Sequence, residues 1–265
     1  MRVTVLDGPM GTELERRGIE TPAPGWSAYA IDRAPEVIAA IHHDYAAAGA
    51  TVHTANTFRT KRRQFPDRWE ELSRKAVAIA RESVPSSHRI AASIAPLEDC
   101  WRPDLSPPAD VARREHGEVA NVFADAGADI LLCETFAHAG EAAIAVEVAA
   151  RTGKETWIAL TAGPDANLMT PDAMRAVARS CVDAGASVVL VNCTPPERTL
   201  LYLQAIDHRA IGAYANAGST SVDEYMQHAR GWIAQGAMVV GSCCGTSITH
   251  IVEIHGQFVA GKKAP

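Results

Sequence analysis

Cysteine is sparse in this chain, six residues in 265, yet two of the six stand side by side in GSCCGT at 241–246. A strand points successive side chains to opposite faces, so Cys243 and Cys244 can share one partner only if the backbone leaves strand geometry there. Gly241 and Gly245, on either side, permit such a bend. A third cysteine, Cys193, follows Asn192 at the end of the apolar run SVVLVN. Three convergent thiolates are a strong, soft ligand set for zinc, whose sites are tetrahedral with sulfur at about 2.3 Å. Structural zinc sites generally use four protein ligands, often spaced C-x-x-C, and neither feature is evident here. Three ligands leave one position open for water or substrate. A substrate thiol placed there is held as thiolate instead of titrating near its free value of about 8.5.

Other polar residues also end apolar runs. Asp7 closes MRVTVLD, Asn56 and Thr57 stand in ANTF, Glu134 in CETF, and Asn216 in YANAG. For these residues to meet the cysteines, the runs that carry them must converge.

Four segments show how they do so: AAAGATVHTANTF (46–58), DAGADILLCETF (125–136), DAGASVVLVNCT (183–194) and AQGAMVVGSCC (234–244). In each, an alanine-rich stretch ends at a glycine suited to a helix C-cap, and the apolar run after it suits a strand buried on both faces. Further strands are expected at about residues 3–8, 89–95, 156–162 and 209–215, with helical periodicity between them. About eight strands alternating with helices in roughly 250 residues predict an α/β fold, a single (β/α)8 TIM barrel spanning residues 1–265 as one domain, with its site at the C-terminal ends of the strands. An open doubly wound sheet is the alternative. It would need a nucleotide-binding turn, and LDGPMGTEL lacks the G-x-G-x-x-G spacing. The least regular stretch, LEDCWRPDLSPPAD at 97–110, falls on the same face as the expected site.

Composition narrows the partners. The formal net charge is −6 with acidic and basic residues interleaved and no long basic run, which argues against nucleic acid or an anionic membrane surface. No apolar stretch approaches the roughly 18 residues of a membrane span, and the N-terminus lacks the pattern of a secretory signal. The expected setting is the cytoplasm, with reduced cysteines and small-molecule chemistry.

LDGPMGTELERRG, ANTF, CETF, NCTPPE, YANAG and GSCCGT, in that order across nearly the whole chain, resemble the homocysteine S-methyltransferase family. That zinc-dependent barrel family also includes betaine-homocysteine methyltransferase and the homocysteine-binding module of methionine synthase. The resemblance implies zinc held by Cys193, Cys243 and Cys244. It suggests that Asp7 and Glu134, as the catalytic pair, hold the amino-acid part of homocysteine, since carboxylates neutralise an ammonium and accept its hydrogen bonds. Asn56, Thr57 and Asn216 match polar positions lining the same pocket in relatives. The implied reaction moves a methyl group from a small sulfonium donor, S-methylmethionine or S-adenosylmethionine, to the zinc-held thiolate of homocysteine, giving methionine. Methylation of another thiol or selenol, a betaine-type donor, or a non-catalytic zinc or redox role are the alternatives. Two departures stand out: a glycine-tyrosine loop frequent after strand 3 is replaced by IAPLEDCWRPDLSP, and Ser242 stands where glycine is usual.

The remaining candidates have simpler expectations. Cys181 and Cys133 are expected in the core, and Cys100 as a surface thiol on the 97–110 loop. The ten histidines show no metal-ligand spacing, and the adjacent pair His42 and His43 is expected to pack or face solvent. Trp101, Trp26 and Tyr29 could offer aromatic faces to a methyl-onium cation, although loop aromatics more often close an apolar edge.

Overall fold

The computed structural model describes residues 3–261; residues 1–2 and 262–265 of the expected 1–265 domain lie outside the described residues. In chain order the strands are β1 Thr4–Val5, β2 Val52–Ala55, β3 Arg89–Ile94, β4 Ile130–Phe136, β5 Glu155–Leu160, β6 Val188–Asn192, β7 Ile211–Tyr214 and β8 Ala237–Val240. The helices are α1 Met10–Arg16, α2 Ala30–Arg33, α3 Pro35–Ala47, α4 Trp69–Ser83, α5 Ala109–Asp125, α6 Ala139–Ala150, α7 Pro171–Asp183, α8 Pro196–Ala205, α9 Val222–Ala234 and α10 Ile248–Phe258. All strand pairs are parallel, in the order β1-β8-β7-β6-β5-β4-β3-β2. The ring closes where Leu6 bridges Val52, so the architecture is the expected TIM barrel and not an open sheet. No described helix is long and apolar enough to cross a membrane.

The first strand is shorter than expected because its bonds change partner. The Leu6 N–H still donates to Val240 O of β8 at 2.9 Å, but the Asp7 N–H turns to Val52 O of β2 at 3.0 Å. Residues 6 and 7 thus leave one neighbour to close the barrel on the other.

Side-chain parity along the strands separates two apolar layers. Leu6, Val52, Ala91, Ile130, Leu132, Trp157, Ala159, Val188, Leu190 and Val239 fill the barrel interior. Leu131, Cys133, Ile158, Val189 and Val191 pack outward against the helices. The same period of two carries Thr54, Ser93, Glu134, Asn192 and Tyr214 into the inward set, each at the C-terminal end of its strand, so the interior column changes from apolar to polar at the top. Cys133 and Cys181 lie in the outer core as expected.

The repeated helix-to-strand joint works through its glycine. Gly49, Gly127, Gly185 and Gly236 all take positive φ, between 92° and 117°. At the third joint the Ala186 N–H returns to Cys181 O at 3.0 Å, the long bond of a Schellman-type helix end. A Cβ on Gly185 would also meet the Ala150 Cβ at 2.7 Å, whereas one on Gly117, inside α5, would meet nothing within 4 Å. Gly185→Ala is therefore expected to lower the unfolding free energy by about 1–3 kcal/mol. Gly117→Ala is expected to raise it by about 0.5–1 kcal/mol. Urea unfolding of the two variants beside the parent chain checks both signs.

Candidate active site

Strand ends β6 and β8 bring the three sulfurs together. Cys193 follows β6 with φ at +46°, an unusual value for a residue with a side chain. After β8, the Cys243 N–H donates to Ala215 O at 2.9 Å and the Cys244 carbonyl accepts from the Ala217 N–H at 2.9 Å. The segment is thus pinned to the end of β7 on both sides of the pair. Gly245 supplies the bend with φ at +79°. Gly241 is needed for a different reason: a Cβ there would lie 2.8 Å from the Leu6 Cβ and 3.0 Å from two backbone oxygens of residues 6 and 7. Cys193 Sγ is 2.8 Å from Cys243 Sγ, which is 3.9 Å from Cys244 Sγ, and all three fall within 4.8 Å of one another. Hydrogen bonding among the sulfurs, then burial, pushes the Cys193 thiol well above its ordinary range. A soft divalent cation reverses that balance by taking up thiolates, so the donor set fits zinc.

The carboxylates stand in the same cavity, about 480 Å³ in volume, whose wall includes Asp7, Glu134, Cys193, Cys243 and Cys244. Asp7 accepts from the Thr54 N–H at 2.8 Å and from the Thr54 hydroxyl at 3.0 Å. Glu134 accepts from the Tyr214 hydroxyl at 2.8 Å and from the Ser93 hydroxyl. Burial holds Asp7 well above the usual carboxylate range and raises Glu134, against the hydrogen bonds that work to lower both. Among the described residues neither carboxylate has an ion-pair partner. The cavity therefore concentrates acceptors and lacks a cation, and a ligand ammonium would supply one.

The other expected pocket residues divide. Asn56 lines the cavity, but both ends of its amide hold Ser27: its Nδ2 donates to Ser27 O at 2.8 Å and its Oδ1 accepts from Ser27 Oγ at 2.6 Å. The Thr57 hydroxyl accepts from the Ser93 N–H at 2.8 Å and donates to Ser93 O at 3.1 Å, which staples β2 to β3. Neither Thr57 nor Asn216 is part of the cavity wall. Trp26 and Trp101 are, with Phe58, while Tyr29 packs edge-on against Phe65. Trp26 stacks on Phe58 with ring centroids 6.1 Å apart, and the Arg59 guanidinium lies 3.8 Å over the Trp26 ring.

The family model for homocysteine S-methyltransferase matches residues 4–258. The chain belongs to the homocysteine S-methyltransferase family. Family members are methyltransferase enzymes. Homocysteine S-methyltransferase 4 of Zea mays is 29% identical over 92% of this chain and 85% of its own length. Selenocysteine Se-methyltransferase of Brassica oleracea var. italica is 26% identical over 97% of this chain and 89% of its own. Among solved structures, the metallated form of the homocysteine methyltransferase MmuM from Escherichia coli superposes with a TM-score of 0.84 at 26% identity, covering 97% of this chain and 96% of that one.

Two features of this family member escape its sequence. Cys100 is not a surface thiol: it is 3% exposed, because the 97–110 loop contributes Cys100 and Trp101 to the cavity wall. His42 packs, as expected, and it does so beside the site. It is fully buried, and with His53 it brings ring nitrogens within 4.8 Å of the Asp7 carboxylate; His43 is exposed. Burial lowers His42 to about 4 and His53 to about 3, so both rings are neutral near pH 7 and leave Asp7 without a counter-charge. Thr54, Ser93 and Tyr214, which hold the two carboxylates, were also missed; the inward parity of their strands is the signal that finds them.

The loop is fastened from below by Glu141. Its carboxylate accepts from the Leu97 N–H and the Ser106 hydroxyl, both at 2.7 Å, and pairs with His116 Nε2 at 3.0 Å. Burial works to raise Glu141, but bonds from His116, the Leu97 N–H and Ser106 outweigh it and bring it to about 2. A carboxylate held below its unfolded value stabilises the fold above that value, and the contribution is lost as pH falls through the folded one. Burial lowers His116 and leaves it neutral near pH 7, so the contribution there is that of the hydrogen bonds to the carboxylate, about 1–3 kcal/mol. Glu141→Gln is expected to lose most of this at pH 7, with the gap to the parent closing as pH falls from about 5 to about 2. Denaturant unfolding across that range measures it.

Proposed function

We propose that this chain transfers a methyl group from a small sulfonium donor, S-methylmethionine or S-adenosylmethionine, to homocysteine, giving methionine, with zinc held by Cys193, Cys243 and Cys244. The observation that carries this reading is the pairing, in one cavity, of the three-sulfur cluster with two buried carboxylates that have no ion-pair partner among the described residues. When bound there, zinc supplies a Lewis acid that keeps the acceptor sulfur deprotonated near neutral pH.

The side chains supply position. Asp7 and Glu134 accept hydrogen bonds from the acceptor's ammonium and offset its charge. Thr54 fixes the first carboxylate, and Ser93 with Tyr214 fixes the second. The acceptor's amino end is thereby anchored at a set distance from the sulfur cluster, which favours in-line approach of a methyl carbon. Trp26, Phe58 and Trp101 form the cavity's apolar wall and give a sulfonium an aromatic surface. Transfer from a sulfonium to a thiolate consumes opposite charges and leaves two neutral thioethers, a change that a desolvated pocket favours.

Purified, zinc-loaded protein assayed with homocysteine and a donor panel of S-methylmethionine, S-adenosylmethionine and betaine is expected to form methionine with a sulfonium. A selenol acceptor belongs in the same panel. Glu134→Gln, which removes a charged acceptor, is expected to lower kcat/KM for homocysteine about 10–100-fold, and to change turnover of a thiol without an amino group far less. Zinc-loaded protein inactive with every thiol and selenol acceptor overturns the reading.

A further inference from the structure

Thr135 is the most strained residue of β4. Its φ is +65°, a genuine outlier for a β-branched side chain, and the β4–β5 register slips between Glu134 and Phe136. In an unbroken strand residue 135 would point outward, as Leu131 and Cys133 do. The bulge turns it inward instead, so that two consecutive residues, Glu134 and Thr135, both line the cavity. Aiming Glu134 alone would not require this, because Glu134 is inward by ordinary parity.

The re-aimed side chain meets Cys193. Thr135 Oγ1 accepts from Asn192 Nδ2 at 2.8 Å, which commits one of its lone pairs and leaves its own proton to donate. That proton faces Cys193 Sγ, 4.0 Å from the hydroxyl oxygen. Asn192 Nδ2 itself lies 3.7 Å from the same sulfur. Both side chains are buried, Thr135 at 2% and Asn192 at 0% exposure, so water does not compete for these donors. Cys193, also at positive φ, is in this way approached by two fixed donors, and strain sits on both sides of the contact.

We propose that Thr135 and Asn192 are positioning residues for the metal centre, their hydroxyl and amide donating to Cys193 Sγ so that this sulfur is held, and its charge partly offset, as a ligand. The inference rests on the reading that the three cysteines bind zinc. Partners beyond the ligands orient them and tune their basicity, and loss of one typically costs about 10–100-fold in metal affinity.

Valine and serine at 135 separate this role from a purely structural one. Thr135→Val keeps the branched shape and removes the hydroxyl, whereas Thr135→Ser keeps the hydroxyl. Zinc affinity, measured on folded protein by chelator competition, is expected to fall about 10–100-fold in Thr135→Val and to stay within a few-fold of the parent in Thr135→Ser. With cobalt(II) as the probe metal, the thiolate-to-cobalt absorption band is expected to move to longer wavelength in Thr135→Val only, because a sulfur without its donor gives up charge more readily. Should Thr135→Val not fold, Thr135→Ala removes the same hydroxyl with less crowding and is expected to show the same losses. Equal affinity and superimposable bands in parent and hydroxyl-less variant overturn the inference while leaving the proposed function standing. So does an equal loss in the valine and serine variants, because serine keeps the hydroxyl and its loss would then have another cause. A parent chain that binds no zinc overturns both.

Discussion

Closure of the barrel at residues 6 and 7 is the constraint on which the site depends. Leu6 still bonds to β8 through its N–H, while Asp7 bonds to β2 through its own. The Asp7 carbonyl then accepts from the Ser242 N–H at 3.3 Å, and its carboxylate takes both donors of Thr54. One residue therefore ties together the ends of β1, β2 and β8. The segment carrying Cys243 and Cys244 is fixed to the start of the chain, and an open sheet would leave the two far apart. Gly241 belongs to the same constraint, because the approach of residues 6 and 7 leaves no room for a side chain there.

The electrostatics of the cavity follow from where the interior changes character. Apolar side chains fill the barrel to the level of Leu190 and Leu132; above them every inward position of several strands is polar. Two carboxylates and three sulfurs share that low-dielectric space, while burial keeps the neighbouring imidazoles of His42 and His53 uncharged near pH 7. Such a site is costly when free and stabilised by cations. In the function proposed above, a metal ion on the sulfurs and an ammonium on the carboxylates would supply the two missing charges.

Strain is concentrated in the same place. Among the described residues four non-glycine residues take positive φ, and three of them, Trp26, Thr135 and Cys193, line the cavity. Each is aimed by its neighbours: Trp26 stacks on Phe58 with the Arg59 guanidinium over both rings, Thr135 sits on a bulge, and Cys193 follows the last residue of β6. Backbone energy of this kind persists only where surrounding contacts over-determine it. Phe58 and Arg59 at Trp26, Asn192 at Thr135 and Cys243 at Cys193 are those contacts.

Much of this was legible in the chain itself. Helix-to-strand joints at Gly49, Gly127, Gly185 and Gly236 follow from local backbone preference. Cys133 facing outward and Glu134 inward follow from a period of two, and the grouping of Cys193 with Cys243 and Cys244 follows from counting strand ends. Local rules reach that far because they act over a few residues. They do not say which polar groups find each other across the barrel. That Asn56 spends its amide on Ser27, that Cys100 is covered, that His42 backs Asp7 and that a bulge swings Thr135 onto Cys193 are matters of contacts between residues far apart in sequence. The sequence by itself determined the alternation, the parity and the residue types of the site. Tertiary closure decided their partners, because only when eight strands complete the ring do their ends share one small space.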